Sequence, residues 1–120
     1  MEDKDLSKDK TIFSGNTDLL LLTLLSQQDM YGYQIISELS RQSNNVFELK
    51  AGTLYPLLHQ LQSSGYIESY EDYASSGKKR KYYHITAEGR KQLSEREKEW
   101  ETYSTAIAKI LSGRIPIANI

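Results

Sequence analysis

The chain has 120 residues, with 15 Lys and Arg against 16 Asp and Glu for a net charge of −1, no cysteine and nine tyrosines. That length suits one domain whose modest core gains from a partner subunit, and the near-zero charge excludes a global basic footprint, so any nucleic-acid contact must be local. The missing cysteines exclude disulfides and thiolate metal sites, as suits a reducing compartment; the opening MEDKDLSKDK is charged rather than secretory and no apolar run spans a bilayer, so a soluble protein with no membrane contact is expected.

Residues 1–15 read as a flexible arm, since the first twelve carry four acids and three bases and few apolar side chains. From Asn16 or Thr17, either able to cap, TDLLLLTLLSQQ packs six leucines into seven positions. A helix so apolar has no side meant for water, and in so short a chain one face is expected to cover its own domain and another a second subunit. Asp29 or Tyr31 starts the next helix, with Ile35, Ile36 and Leu39 on one stripe and Glu38 and Arg41 outside, until SNN at 43–45 breaks it.

The stretch KAGTLYPLLHQLQSSGYI at 50–67 holds the third helix, capped by Thr53, with Pro56 in the first turn and Gly65 as its stop. Leu54, Leu57, Leu58 and Leu61 recur at helical spacing and face the core. Outward lie Ala51, Thr53, Tyr55, Pro56, His59, Gln60 and Gln62, short or polar and without formal charge. Such a face enters a major groove without repulsion and hydrogen-bonds base edges. Two helices, a turn and a third helix of this kind make a helix-turn-helix.

Past Gly65 the period drops to two, in YIESYEDY and again in KYYHIT, around the loop ASSGKKR. Two strands with a basic tip beside a reading helix make a winged helix. From Gly77 to Lys91 six bases face only Glu88, a net +5, leaving −6 for the remainder. This asymmetry is the local footprint that the net charge hides. Thr86 then caps a last helix in which Leu93, Trp100 and Ile107 are spaced by sevens and Tyr103 and Ile110 fill the seam, with Arg96 and Glu97 as charged interruptions and Gly113 as the end. The expected fold is mainly α with a small β-hairpin: a winged helix-turn-helix over 16–86, a C-terminal dimerisation helix over 87–112 and a tail over 113–120.

The order and spacing of YGYQII at 31–36, AGTLYPLLHQLQSSGYI at 51–67 and SSGKKRKYYHITAEGRKQL at 75–93 resemble the PadR-like transcriptional regulators, in the short form with one C-terminal dimerisation helix, over residues 16–111. The resemblance implies a cytoplasmic homodimer on double-stranded DNA with a palindromic operator, usually a repressor of a nearby operon released by a small molecule. The expected DNA contacts are Lys50, Thr53, Tyr55, Pro56, His59 and Gln60 around the third helix and Lys78, Lys79, Arg80 and Lys81 in the wing. Some short members sandwich flat aromatic drugs between two tryptophans at the dimer interface, and Trp100, the only tryptophan, stands at the matching place, flanked by Glu97, Glu99 and Glu101, of which those facing the cavity favour a cation; Trp100, Glu97 and Tyr103 are the expected ligand contacts. A planar hydrophobic or cationic effector is the ligand this implies. A lone aromatic at helical spacing more often simply packs a seam.

An enzyme is not expected, because His59 and His84 come without a carboxylate or second histidine at ligand spacing and no glycine-rich phosphate loop exists. No metal or other cofactor is expected either. The rival is a winged-helix protein-interaction module without ligand sensing, docking through Tyr66, Tyr70, Tyr73, Tyr82 and Tyr83. Tyrosines on a hairpin more often pair across strands.

Overall fold

The computed structural model describes residues 15–114; the arm before residue 15 and the tail after Arg114 lie outside it. Helix α1 (Thr17–Gln27) leads through the short strand β1 (Met30–Tyr31) into α2 (Gly32–Gln42), and α3 (Ala51–Ser63) follows. The hairpin β2 (Ile67–Tyr73) and β3 (Lys79–Ile85) comes next, and α4 (Ala87–Arg114) closes the chain. The sheet runs β1-β3-β2 with both pairings antiparallel. This is a winged helix-turn-helix carrying a long C-terminal helix. β1 escapes sequence reasoning because two residues show no alternation, and their partner is some fifty positions away in Tyr82 and Tyr83.

The leucine helix is covered mostly by its own chain. Leu21, Leu22, Leu24 and Leu25 are all buried by their own chain, and Leu19 and Leu20 pack against the same core. The first turns of α4 and the strand β3 lie on α1 and cover it. Arg96 fixes this seam with its Nε 3.1 Å from Asp18, which sits in the first turn of α1. The core continues through Ile35 and Leu39 of α2, Leu54, Leu58 and Leu61 of α3, and Ile67, Tyr83 and Ile85 of the sheet.

Both ends of the helix-turn-helix are set by backbone chemistry. Asn44 and Asn45 take φ of 52° and 66°, and Asn45 N–H donates to Ser40 O at 2.8 Å, closing α2 with left-handed residues that asparagine tolerates. At the end of α3, Gly65 has φ 82°, and the bonds Tyr66 N–H to Leu61 O and Gly65 N–H to Gln62 O, both 3.0 Å, form a Schellman cap. The start of α3 differs from expectation. The cap position is Lys50, which places Thr53 in the first turn and Pro56 inside the helix. Pro56 therefore leaves the Gly52 carbonyl without its helical donor, at an exposed residue where the carbonyl is open to solvent.

Helix α4 begins where expected, with Thr86 Oγ1 accepting from Gly89 N–H at 3.0 Å. It passes through Gly113, which does not stop it. The radius of gyration is 17.1 Å, against about 13 Å for a compact domain of about 100 residues. The excess reflects the distal turns of α4, which stand away from the core: from Glu97 to Gly113 every side chain except Ser104 is exposed.

Candidate functional site

With Leu54, Leu58 and Leu61 inward, α3 turns Gly52, Tyr55, Pro56, His59, Gln60 and Ser63 to solvent. No formally charged residue occurs between Ala51 and Ser63. His59 and Gln60 are the exposed hydrogen-bonding side chains at the middle of this stripe. Lys50 is exposed at the helix start and Thr53 is half-buried. Tyr55 also makes an internal contact, because its hydroxyl end lies over Gly32, where a Cβ would collide with it. Tyr55 thus holds α3 against the first turn of α2, and only glycine leaves it the room. Burial pushes the Tyr83 hydroxyl above its ordinary pKa, with Tyr55 adding to the effect from the same side.

The four wing bases occupy different settings. Lys78 lies in the exposed turn. Lys79 pairs with Glu71 at 3.1 Å with both side chains more than half exposed, and Lys81 stands opposite Glu71 in register. Arg80 packs its guanidinium 5.3 Å from the centre of the Tyr31 ring, and its Nε is buried without a hydrogen-bond partner. Glu68, Glu71 and Asp72 on β2 place acids beside the basic strand. The footprint is therefore a basic edge on β3 and the turn, bordered by acids.

Behind that edge, on the face of the sheet away from the core, lies a polar and aromatic cluster that the sequence did not announce. Tyr31 meets Tyr82 edge to face at 5.4 Å, and Tyr82 stacks on Tyr70 at 5.7 Å. The Tyr70 hydroxyl donates to Asp29 Oδ2 at 2.6 Å, and His84 Nδ1 lies 2.8 Å from Asp29 Oδ1. An ionised carboxylate only accepts, so His84 carries its proton on Nδ1. Burial raises the Asp29 carboxyl, but the hydrogen bonds from Tyr70 and His84, helped by the charges of His84 and Arg90, outweigh it and leave the pKa below the ordinary value. Hydrogen bonding to the same carboxylate pushes Tyr70 up to about 12. The hairpin tyrosines are thus mostly committed to one another or to the core, with Tyr73 left exposed.

A second candidate region lies where α4 passes the start of α1. Gly15, Asn16, Arg96, Glu99, Trp100 and Tyr103 line an open groove of about 340 Å³. Trp100 and Tyr103 sit with ring centres 5.9 Å apart, and both are exposed. Glu97, expected beside Trp100, does not line this groove. Glu99 does, bonded at 2.8 Å to Arg96 Nη1; on a helix two residues differ by about 200°, so the neighbouring acids cannot share one face. Among the described residues no group of three or more His, Asp or Glu side chains is placed to hold a metal, and no helix is long and apolar enough to cross a membrane.

The family model of the transcriptional regulator PadR-like family matches residues 21–95. An uncharacterized protein X of Lysinibacillus sphaericus is 40% identical over 102 residues, which are 85% of this chain and 94% of that protein. A transcriptional regulator of Mycobacterium tuberculosis is 34% identical over 77 residues, 64% of this chain and 68% of its own. The crystal structure of a PadR-like transcriptional regulator from Bacillus cereus superposes with a TM-score of 0.76 at 34% identity, covering 84% of this chain and 96% of that one.

Proposed function

The chain belongs to the PadR-like family of transcriptional regulators, and from that premise we propose that it is a dimeric, sequence-specific repressor that grips a palindromic operator with α3 and the wing. The observation that carries this reading is the pairing of an uncharged, polar outward stripe on α3 with a hairpin that concentrates Lys78, Lys79, Arg80 and Lys81. An uncharged helix reads base edges while the bases of the wing neutralise flanking phosphates. His59 and Gln60 are the base-reading side chains in this reading, with Tyr55 and Pro56 as apolar contacts and Lys50 and Thr53 at the groove entrance.

The second subunit is needed on physical grounds. Trp100, Tyr103, Ile107, Ile110 and Leu111 are large apolar side chains left exposed on α4. A twofold copy of α4 covers them, and the dimer presents two α3 helices to two half-sites about 34 Å apart. In that dimer the groove beside Trp100 faces its twin, and a planar aromatic effector stacking between the tryptophans, its positive charge balanced by Glu99, releases the operator.

The test is a titration of the protein against the promoter DNA upstream of its own gene at several salt concentrations, with and without planar cationic aromatics, following Trp100 fluorescence. Specific binding whose affinity falls steeply with salt, and which is lost as a compound quenches Trp100, supports the whole reading. Specific binding indifferent to every compound removes the effector. Absence of DNA binding at low salt overturns the regulator reading. The exposure of Tyr73 and Tyr70 favours one second reading, a hairpin that docks a protein. Changing Lys78, Lys79 and Arg80 to Ala abolishes binding if the partner is DNA and spares it if the partner sits on the tyrosines.

A further inference from the structure

We propose that Asp29 is the positioning residue of the wing: by holding Tyr70 of β2 and His84 of β3 on one carboxylate it sets the angle of the hairpin relative to α2 and α3, and with it the delivery of the basic edge. This inference rests on the DNA-binding reading for its consequence but not for its geometry.

The position of Asp29 makes it a junction. It stands between the end of α1 and β1, and β1 runs without a break into α2, the first helix of the helix-turn-helix. Its two oxygens are used separately, Oδ2 for the Tyr70 hydroxyl at 2.6 Å and Oδ1 for His84 at 2.8 Å, partners 41 and 55 residues along the chain. One side chain thus ties both strands of the hairpin to the element that starts the reading unit. The backbone pairing of β1 with Tyr82 and Tyr83 ties the base of β3 alone to this element; on β2 a longer side-chain bond runs from Gln62 Nε2 of α3 to Ser69 Oγ at 3.4 Å.

Beyond this clasp the hairpin stands clear. From Tyr70 to Lys79 every residue but Ala74 is exposed, so no packing holds the distal wing in place. At about 3.4 Å per residue the tip lies roughly 17 Å past Tyr70. A rotation of only about 10° at the base therefore displaces the tip by about 3 Å, enough to break a hydrogen bond to phosphate. Arg80 is held by the same assembly, since its guanidinium lies on Tyr31, which leans on Tyr82, which stacks on Tyr70. The buried, unpartnered Nε shows that this side chain is placed by its neighbours rather than by solvent.

The experiment has two arms on the full-length protein. In the free protein, hydrogen exchange of the β2 and β3 amides is compared for wild type, Asp29→Ala and Tyr70→Phe; about tenfold faster exchange in both variants, with α1 and α3 amides unchanged, is expected when one charge-assisted bond is lost. On operator DNA, Asp29→Ala weakens binding about tenfold and lowers the salt slope by about one to two ions, while Asp29→Asn, which keeps an oxygen acceptor, restores most of both. In a protein weakened by Lys78→Ala and Lys79→Ala alone, whose binding is measured at low salt, Asp29→Ala costs clearly less than about tenfold. Wing exchange that stays at the wild-type rate, or an affinity loss that persists undiminished without these two lysines, overturns the proposal. If the wild type binds no DNA at all, the regulator reading fails, and the exchange arm alone decides whether Asp29 sets the wing.

Discussion

Helix α1 and the distal half of α4 are both apolar enough to demand cover, yet they meet opposite fates. Four of the six leucines of α1 disappear inside their own chain, with Leu22 and Leu21 at 0% and 1% exposure, whereas Ile110 of α4 remains 75% exposed and Trp100 44%. The difference is one of neighbours, not of hydrophobicity. α1 lies between the sheet and the first turns of α4, which bring Leu93 and Arg96 onto it. Past Glu97 the same α4 draws away from the domain, skirting it only at the groove beside Gly15 and Asn16. The apolar content of a helix tells how much cover it needs; only the path of the rest of the chain tells whether that cover is its own.

The sharpest way to break the comparison is to cut into α1. Leu22→Ala leaves a cavity in a site with no solvent access and is expected to cost about 2–5 kcal/mol, enough to unfold much of the protein, read by chemical denaturation. Loss below about 1 kcal/mol would mean that α1 is not core. The matching change on the other helix, Ile107→Asp with Ile110→Asp, is expected to leave the winged domain folded by circular dichroism and to convert the dimer to a monomer in analytical ultracentrifugation. A dimer surviving that change removes the α4 seam.

Gly89→Ala tests the seam between the two regions. A Cβ there would collide with the Tyr66 carbonyl and approach Ile85 Cγ1 at 2.8 Å. A loss of about 1–3 kcal/mol in denaturant unfolding is expected from such overpacking, since α4 must shift off the sheet. The smallest effect is at the surface of α2. Hydrogen bonds from Arg41 and Gln42 hold the half-buried Glu38 on the surface of α2 down to about 2, from an ordinary 4.5. A carboxyl lowered on folding contributes stability above its unfolded pKa, and that contribution fades as pH falls from about 4.5 towards 2. The Glu38→Gln variant should therefore show a shallower loss of melting temperature between pH 5 and pH 3, by no more than about a degree, as suits an exposed pair.

The helix-turn-helix and the wing were legible because their boundaries are written in local chemistry: Asn44, Asn45 and Gly65 take the left-handed conformations their residue types favour, and the strands alternate. Thr53 and Pro56 misled because one cap residue and one proline fix a helix start only to within a turn, and Lys50 took the cap instead. Gly113 misled because glycine permits a stop without compelling one. Asp29 looked like a helix cap beside Tyr31. Its real partners, Tyr70 and His84, are set by the fold and not by spacing. Arg96 read as a charged interruption for the same reason, since Asp18 lies 78 residues away. Which of Glu97, Glu99 and Glu101 shares the groove with Trp100 was open in the sequence, because it turns on which side of α4 meets the start of α1, a fact of packing alone.

The junction between α3 and α4 is made almost wholly of main chain. Thr86 N–H donates to the Tyr66 carbonyl at 3.0 Å, Thr86 Oγ1 donates to the Gly65 carbonyl at 2.7 Å, and Gly89 packs its bare Cα against that same Tyr66 carbonyl. The angle between the two helices is thereby insulated from the side chains on the outward stripe of α3. On the proposed reading, descendants of this sequence are free to rewrite His59, Gln60 and their neighbours, and so to change what is read, while the geometry that would pair two copies is inherited intact.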